Sequence, residues 1–188
     1  MKLNNEERLY LLELARKAIM NYLKNKENLQ VNASEVNSKR LTDEGACFVT
    51  LNINGQLRGC IGTLEAHQPL VFDVVENAVT AAFMDPRFHA VSSKEIEKIR
   101  ISISVLTKPV QFKANGPEDL VKKLEPGKHG LILQHGIARA TFLPSVWEQL
   151  PDKEDFLKHL SMKAGLLPDG WKSPNTKFLI YESEEFSE

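Results

Sequence analysis

The segment Leu57–Gly62, with the sequence LRGCIG, combines a thiol, a guanidinium and two glycines within six residues. A thiolate is a nucleophile, and a neighbouring guanidinium favours it by lowering the pKa of the thiol. Residues two apart on a strand point to the same face, so Arg58 and Cys60 are expected side by side. The guanidinium can equally bind a carboxylate or a phosphate. Gly59 and Gly62 leave the backbone open for a bulge or for a closely approaching ligand.

The same residues also have a purely structural interpretation. A free cysteine is usually a small buried residue, and Arg58 would then belong to an ion pair. The other cysteine, Cys47, is expected in the core beside Val49. Two cysteines without a CxxC spacing predict free thiols in a reducing, cytoplasmic compartment. The residues alone leave a nucleophilic and a packing role open for Cys60.

A second candidate feature is the turn Asp85–Phe88, with the sequence DPRF. Proline cannot continue a helix, so this turn is expected to end one. Asp85 and Arg87 can form an ion pair across the turn, or they can line a substrate-binding surface together with Arg58. Both alternatives remain open at this point.

Histidines supply the third candidate feature, because an imidazole can act as a general base near neutral pH. His129 and His135 each precede a glycine in a predicted turn, where an imidazole is usually solvated. The five histidines are scattered, and none has a partner at metal-ligand spacing. The sequence also has no glycine-rich phosphate loop and no dinucleotide-binding motif. We therefore expect no metal site and no cofactor.

The elements around these residues are a mixture of strands and helices. Asn54-Gly55 separates strand-like runs at 46–53 and 56–62 and favours a two-residue hairpin turn. A regular hairpin places Cys60 opposite Val49. The remaining pattern predicts helices over 4–24, 69–85, 93–99, 117–124, 144–150 and 153–164, strands over 100–106, 110–112, 131–134, 137–143 and 177–181, and a frayed acidic tail over 183–188. Hairpins mixed with helices indicate an α+β fold with antiparallel sheets and flanking helices.

Composition restricts the class of protein. The chain has 188 residues and a formal net charge of -1, which argues against a nucleic-acid binder. Its apolar runs are too short for a transmembrane helix, so no membrane association is expected. The first twenty residues are too charged for a signal peptide.

The segment 57–64, LRGCIGTL, resembles the signature of the AMMECR protein family, called AmmeMemoRadiSam system protein A in bacteria and archaea. Five further blocks resemble family segments in the same order, at residues 45–51, 81–88, 101–106, 140–147 and 156–166. The resemblance implies one domain over 1–188 with a larger and a smaller lobe, the smaller at about 109–143, and a cleft between them. It also implies that a cysteine often stands where this chain has Ser161, so that Cys60 is the one thiol able to act through the signature.

For function, the resemblance implies partners, a Memo-like protein and a radical-SAM protein, and no established reaction. Whether the chain is an enzyme is therefore open. In the first hypothesis it is a binding or accessory component whose cleft holds a small molecule or a peptide, with Arg58, Gly59, Gly62, Asp85, Arg87, His129 and His135 as candidate binding residues. In the alternative it is an enzyme for a small acidic or carbonyl compound, with Cys60 as nucleophile, Arg58 as anion binder, and His129 or His135 as base.

Overall fold

The computed structural model describes residues 2–188, which form two compact units. The first unit contains the residues up to Lys108 together with Glu184–Glu188, and the second contains Pro109–Ser183. The helices are α1 Asn5–Asn25, α2 Lys39–Thr42, α3 Leu70–Phe83, α4 Pro117–Lys123 and α5 Lys153–Lys163. The strands are β1 Glu44–Ile53, β2 Gln56–Gly62, β3 Gln68–Pro69, β4 Ile99–Leu106, β5 Val110–Gln111, β6 Gly130–His135, β7 Ala138–Phe142, β8 Lys177–Tyr181 and β9 Ser183–Ser187.

The first unit is built on a sheet with the order β2-β1-β4-β9, and β3 pairs with the start of β1. One face of this sheet is apolar because the alternate residues Cys47, Val49 and Leu51 of β1 are fully buried. They form one core with the buried faces of α1 and α3. The opposite face carries Phe48, Thr50 and smaller polar residues of β4. Strand alternation therefore separates a core face from an outer face.

Local sequence signals account for the helices of the first unit. The side chain of Asn4 accepts a hydrogen bond from the Glu7 N–H and the Glu7 carboxylate accepts one from the Asn4 N–H, which is a complete capping box at the start of α1. Helix α3 follows Pro69 and ends before Pro86, as predicted. The other helical prediction in this unit is wrong, because residues 93–98 form consecutive turns rather than a helix.

The second unit contains a four-stranded sheet with the order β5-β8-β6-β7. Its core combines leucines with aromatic rings, and the Trp147 ring stacks on Phe156 with 3.7 Å between centroids. The turn between β6 and β7 consists of Gly136 and Ile137, one residue later than predicted. Predicted helices correspond to α4 and α5, whereas 144–150 contains a short 3₁₀ helix, Pro144–Glu148. With two antiparallel sheets and flanking helices, the predicted α+β class is confirmed.

The predicted hairpin is present, but its register differs from the prediction. Asn54 and Gly55 form the turn with φ values of 53° and 77°, as a type I′ turn requires. Beyond it, Leu57 pairs with Asn52 and Gly59 pairs with Leu51, which leaves Arg58 as an extra residue in a β-bulge. The bulge moves every later pair by one position.

Because of this bulge, Cys60 pairs with Thr50, and the predicted pairing with Val49 is wrong. The thiol therefore lies on the outer face of the sheet with Thr50 and not on the core face with Val49. Cys60 is half-buried, whereas Cys47 is fully buried as predicted, and both are free thiols.

The predicted frayed tail is also wrong, because β9 pairs with β4 at the edge of the first sheet. Charged side chains hold it in place. Glu184 forms an ion pair with Arg8 at 2.6 Å, and the Glu188 carboxylate pairs with Arg16. The sequence of the tail gave no sign of these partners, which lie in α1, more than 170 residues away along the chain.

Candidate functional site

The candidate site lies on the outer face of the first sheet, around Cys60. The Thr50 hydroxyl donates a hydrogen bond to the Cys60 sulfur at 3.2 Å. Ser102 of β4 pairs with Thr50 on its other side, so three neighbouring strands carry a row of small polar side chains. All three residues are half-buried. The row presents one thiol and two hydroxyls on the outer face of the sheet.

The two glycines of the motif let parts of the protein approach β2 closely. A Cβ atom added to Gly59 would lie 2.2 Å from the backbone oxygen of Ala81 in α3. One added to Gly62 would lie 2.3 Å from the Phe48 ring. At both positions the space that a side chain would take is therefore occupied by the protein itself. The glycines fix the position of the strand that carries Cys60.

The Asp85 carboxylate anchors the backbone beside the thiol. It is buried and accepts a hydrogen bond from the Cys60 N–H at 2.9 Å. It also accepts hydrogen bonds from the Arg87 N–H and from the Nε and Nη2 atoms of its guanidinium. These bonds, chiefly those from the Arg87 side chain, hold the pKa of Asp85 well below its usual range. The ion pair predicted between Asp85 and Arg87 is confirmed at 2.7 Å.

Arg87 bonds the other backbone group of Cys60 at the edge of the sheet. Its Nη2 atom donates to the Cys60 carbonyl at 3.0 Å, so Asp85 and Arg87 together bond the Cys60 backbone as a neighbouring strand would. The Arg87 side chain is 53% exposed, and its Nη1 atom has no hydrogen-bond partner within residues 2–188. The hydrogen bond to the Asp85 carboxylate raises the pKa of Arg87. The guanidinium beside the thiol is thus that of Arg87.

Arg58, in contrast, is engaged elsewhere. Its Nε atom donates to Glu95 at 2.8 Å, and its Nη1 atom is buried without a partner. Glu95 in turn accepts hydrogen bonds from the backbone and hydroxyl of Ser92. The bond from Arg58, together with those from Ser92, lowers the pKa of Glu95 to about 2. Arg58 therefore forms the ion pair of the structural alternative. This ion pair connects the bulge to the turns at 93–98.

Asp73 is a site residue that the sequence reasoning missed. Its carboxylate is fully buried and accepts hydrogen bonds from the Cys47 N–H at 2.8 Å, from Thr63 Oγ1 at 2.7 Å and from Asn77 Nδ2 at 2.9 Å. Burial, and secondarily the charge of Asp73, raises the pKa of the Cys47 thiol well above its ordinary value. Cys47 is therefore an inert core thiol. An aspartate within the apolar helix α3 was the available signal for this network.

The two candidate histidines belong to the second unit. His129 is buried, contrary to the expectation of a solvated turn residue, and its Nδ1 atom accepts a hydrogen bond from the Glu125 N–H. The Trp147 indole donates to the His129 carbonyl at 2.7 Å. His135 contacts the Thr176 hydroxyl through Nδ1 at 2.9 Å. Both rings thus have structural contacts within their own unit.

Two further observations concern the chemistry of residues 2–188. This part of the chain contains no group of three or more His, Cys, Asp or Glu side chains that could hold a metal ion. None of its helices combines the length and apolarity that a membrane span requires. The site around Cys60 consequently offers an accessible thiol, hydroxyl groups and one guanidinium with a free N–H. Such a set can bind an anionic group, and it can present the thiol to that group.

Comparison with known proteins identifies the family. A model of the AMMECR1 family matches residues 12–186, and the chain belongs to this family. It is 40% identical over 191 residues to Protein MK0488 of Methanopyrus kandleri, covering 100% of this chain and 91% of that protein. It is 38% identical over 187 residues to Protein MJ0810 of Methanocaldococcus jannaschii, with 97% and 90% covered. The crystal structure of the uncharacterized protein PH0010 from Pyrococcus horikoshii matches with a TM-score of 0.92 at 34% identity, covering 100% of this chain and 94% of that one.

Proposed function

We propose that this chain is a binding component that recognises an acidic group of a small molecule or a peptide beside Cys60, and that it works with a Memo-like and a radical-SAM protein. The free Nη1 atom of Arg87 carries this proposal. The guanidinium is held by Asp85 and by the Cys60 carbonyl, so its orientation is set before a ligand arrives. A pre-oriented, half-exposed guanidinium suits a carboxylate or phosphate. The partners come from the family resemblance.

Binding is favoured over catalysis because the thiol lacks a base. Cysteine nucleophiles are normally activated by a base within hydrogen-bond reach. In the part of the chain that the structure describes, the hydrogen bond to the Cys60 sulfur comes from Thr50, and a hydroxyl is not a general base. The alternative, an enzyme with Cys60 as nucleophile, is supported by one observation, the Arg87 guanidinium that donates to the Cys60 carbonyl. In that alternative Arg87 replaces Arg58 as the anion binder.

Competing alkylation reagents test the anion site directly. Iodoacetate carries a carboxylate and iodoacetamide does not, while both attack the same thiolate, so the ratio of their rates reports local attraction of an anion. We expect this ratio at Cys60 to exceed that of free mercaptoethanol by about threefold, because an exposed charge interaction is worth about 0.2–1 kcal/mol. Arg87→Gln should abolish the excess, and Lys24→Gln, a charge removed from the end of α1, should leave it unchanged. Equal ratios for Cys60 and mercaptoethanol would refute the anion site.

Peptide mapping keeps this measurement specific to Cys60. Cys47 is fully buried and should remain unmodified while the protein is folded, so its alkylation reports unfolding. High salt should reduce the excess at Cys60, because screening weakens exposed charge interactions.

The partnership needs a separate test. The tagged chain is coexpressed with the Memo-like and radical-SAM proteins of the same genome, purified at low salt and examined by mass spectrometry. Retention of either protein supports the proposal, and retention of neither refutes the partnership while leaving the anion site intact. A compound that stays bound to Cys60→Ala supports binding. A covalent adduct on Cys60 in the purified complex would favour the enzyme alternative.

A further inference from the structure

The second unit contains a cavity of about 610 Å³ between two connecting segments. One segment, residues 111–117, leads from β5 to α4, and the other, residues 171–178, leads into β8. The two are joined where the Phe112 N–H donates to the Phe178 carbonyl at 2.9 Å. Residues of both segments line the cavity. Its volume lies within the range of clefts that hold small organic ligands.

The charged residues that line this cavity are all lysines, namely Lys113, Lys172 and Lys177. Lys172 forms an ion pair with Asp169 at 2.9 Å, and its Nζ atom lies 5.2 Å from the centroid of the Trp171 ring. The ammonium groups of Lys113 and Lys177 have no ion-pair partner among residues 2–188. Like charges collected on a concave surface attract an oppositely charged ligand.

The rest of the lining is mixed. Its largest apolar side chains are Phe112, Leu120, Trp171 and Phe178, and its polar residues are Gln111, Asn115, Ser173 and Thr176. The Trp171 indole is part of this lining and can report on the cavity. It is 3% exposed, and its Nε1 atom is buried without a hydrogen-bond partner. The chain's other tryptophan, Trp147, donates its Nε1–H to a carbonyl. Such an N–H is rare in folded proteins, and because the atom is inaccessible to solvent it cannot itself bond a ligand in the cavity, although the indole ring borders it.

A neighbouring cavity of about 630 Å³ shares the segment 115–117, Trp171 and Lys172 with the first. Glu118 and Glu154 line this second cavity and are absent from the lining of the first. The carboxylates of the region therefore disfavour an anion in the second cavity, and the lysines favour one in the first. This asymmetry gives a bound anion a defined position.

We propose that the first cavity binds an aromatic carboxylate, with its ring against the aromatic lining and its carboxylate at Lys113 and Lys177. Aromatic rings gain from contact with other rings in offset or edge-on arrangements, which the mixed lining of Phe112, Trp171 and Phe178 provides. The site lies wholly within the second unit and uses no residue of the Cys60 site. Its failure would therefore leave the proposed function untouched.

The two indole N–H signals of the ¹⁵N-labelled chain test this proposal. The probe is 1-naphthoate, compared with the neutral 1-naphthalenemethanol and with acetate. We expect 1-naphthoate to move the Trp171 signal in a saturable manner and to leave the Trp147 signal in place. The neutral alcohol and acetate should each bind about fivefold more weakly or worse, because each lacks one of the two interactions. An unmoved Trp171 signal at millimolar 1-naphthoate, or equal binding of the alcohol, would overturn the proposal.

Charge removal provides the matching variants. Lys113→Gln combined with Lys177→Gln should weaken 1-naphthoate binding about tenfold, from two partly exposed charge interactions. Lys158→Gln, which removes a lysine that pairs with Asp155 on α5, is the control and should bind as the unmodified chain does. An unchanged Trp147 signal verifies that the variants are folded. Unaltered affinity in the double lysine variant would also overturn the proposal.

Discussion

Replacing Gly59 by alanine tests whether close packing of α3 on β2 holds the Cys60 strand in place. The added Cβ would lie 2.2 Å from the Ala81 carbonyl oxygen and 3.1 Å from the Ala81 carbonyl carbon. An ordinary contact begins at 3.4 Å, so helix and strand must separate by about 1 Å. The carbonyl belongs to the backbone of a helix and cannot rotate away alone. The strain must therefore be shared by the whole interface between α3 and β2.

Overpacking of this kind costs about 1–3 kcal/mol, and contact with backbone rather than a flexible side chain places Gly59→Ala near the upper end. Alanine is better than glycine within a strand by about 0.5–1 kcal/mol, which offsets part of the cost. We therefore expect the free energy of unfolding to fall by about 2 kcal/mol. The measurement is urea denaturation at neutral pH, with the m value unchanged if the native fold persists.

Cys60→Ala is the matched control on the same strand. Its side chain lies on the outer face and is half-buried, so truncation should cost less than about 1 kcal/mol. The displaced strand should also alter the Cys60 alkylation rate in Gly59→Ala, because the Cys60 N–H bonds to Asp85. A Gly59→Ala variant as stable as the unmodified chain would refute the reasoning, since the interface would then have room for the methyl group.

Three further predictions concern stability. The pKa of Glu95 is lowered to about 2 by Arg58, so this pair stabilises the fold above about pH 4.5 and the effect is lost as the pH falls toward 2. Arg58→Ala should therefore cost about 1 kcal/mol at pH 7. Thermal denaturation should show this difference shrinking below pH 4, and a difference independent of pH would contradict this account. Ser161→Ala should leave the free energy of unfolding unchanged or raise it by up to about 1 kcal/mol in urea denaturation, because the Ser161 hydroxyl is buried without a partner. A clear loss of stability would indicate an unrecognised hydrogen bond. Glu188→Gln should lower the free energy of unfolding by about 1–2 kcal/mol, because Glu188 bonds both Arg16 and the Ile101 N–H. The loss should be smaller at high salt, and an unchanged melting temperature would argue against a docked β9.

The elements that the sequence predicted correctly are those whose signals are local. Asn4 and Glu7 form a capping box within one turn, Asn54-Gly55 adopts the positive φ values of its turn type, and Pro86 ends α3. Each depends on the conformational preferences of a few adjacent residues, which act in the same way in most contexts. The family was also predicted from short blocks of residues in the sequence.

The candidate site was predicted only in part, because its geometry depends on packing between distant segments. The bulge at Arg58 arises where Gly59 meets the Ala81 carbonyl and Arg58 meets Glu95, and neither contact is visible in the LRGCIG segment. A single extra residue reverses which face a side chain occupies, since strand alternation has a period of two. That reversal placed the thiol beside Thr50 on the outer face and not opposite Val49.

The charged partners also depended on the tertiary structure. The sequence favours Arg58 as the neighbour of Cys60, and only the fold pairs Arg58 with Glu95 and brings Arg87 to the Cys60 carbonyl. The same holds for β9, whose acidic residues look solvated until Arg8 and Arg16 are placed beside them. Residue types and local order thus determined the elements and the family of this protein. Long-range packing decided which face carries the thiol and which guanidinium remains free, because those choices depend on contacts between residues far apart in the chain.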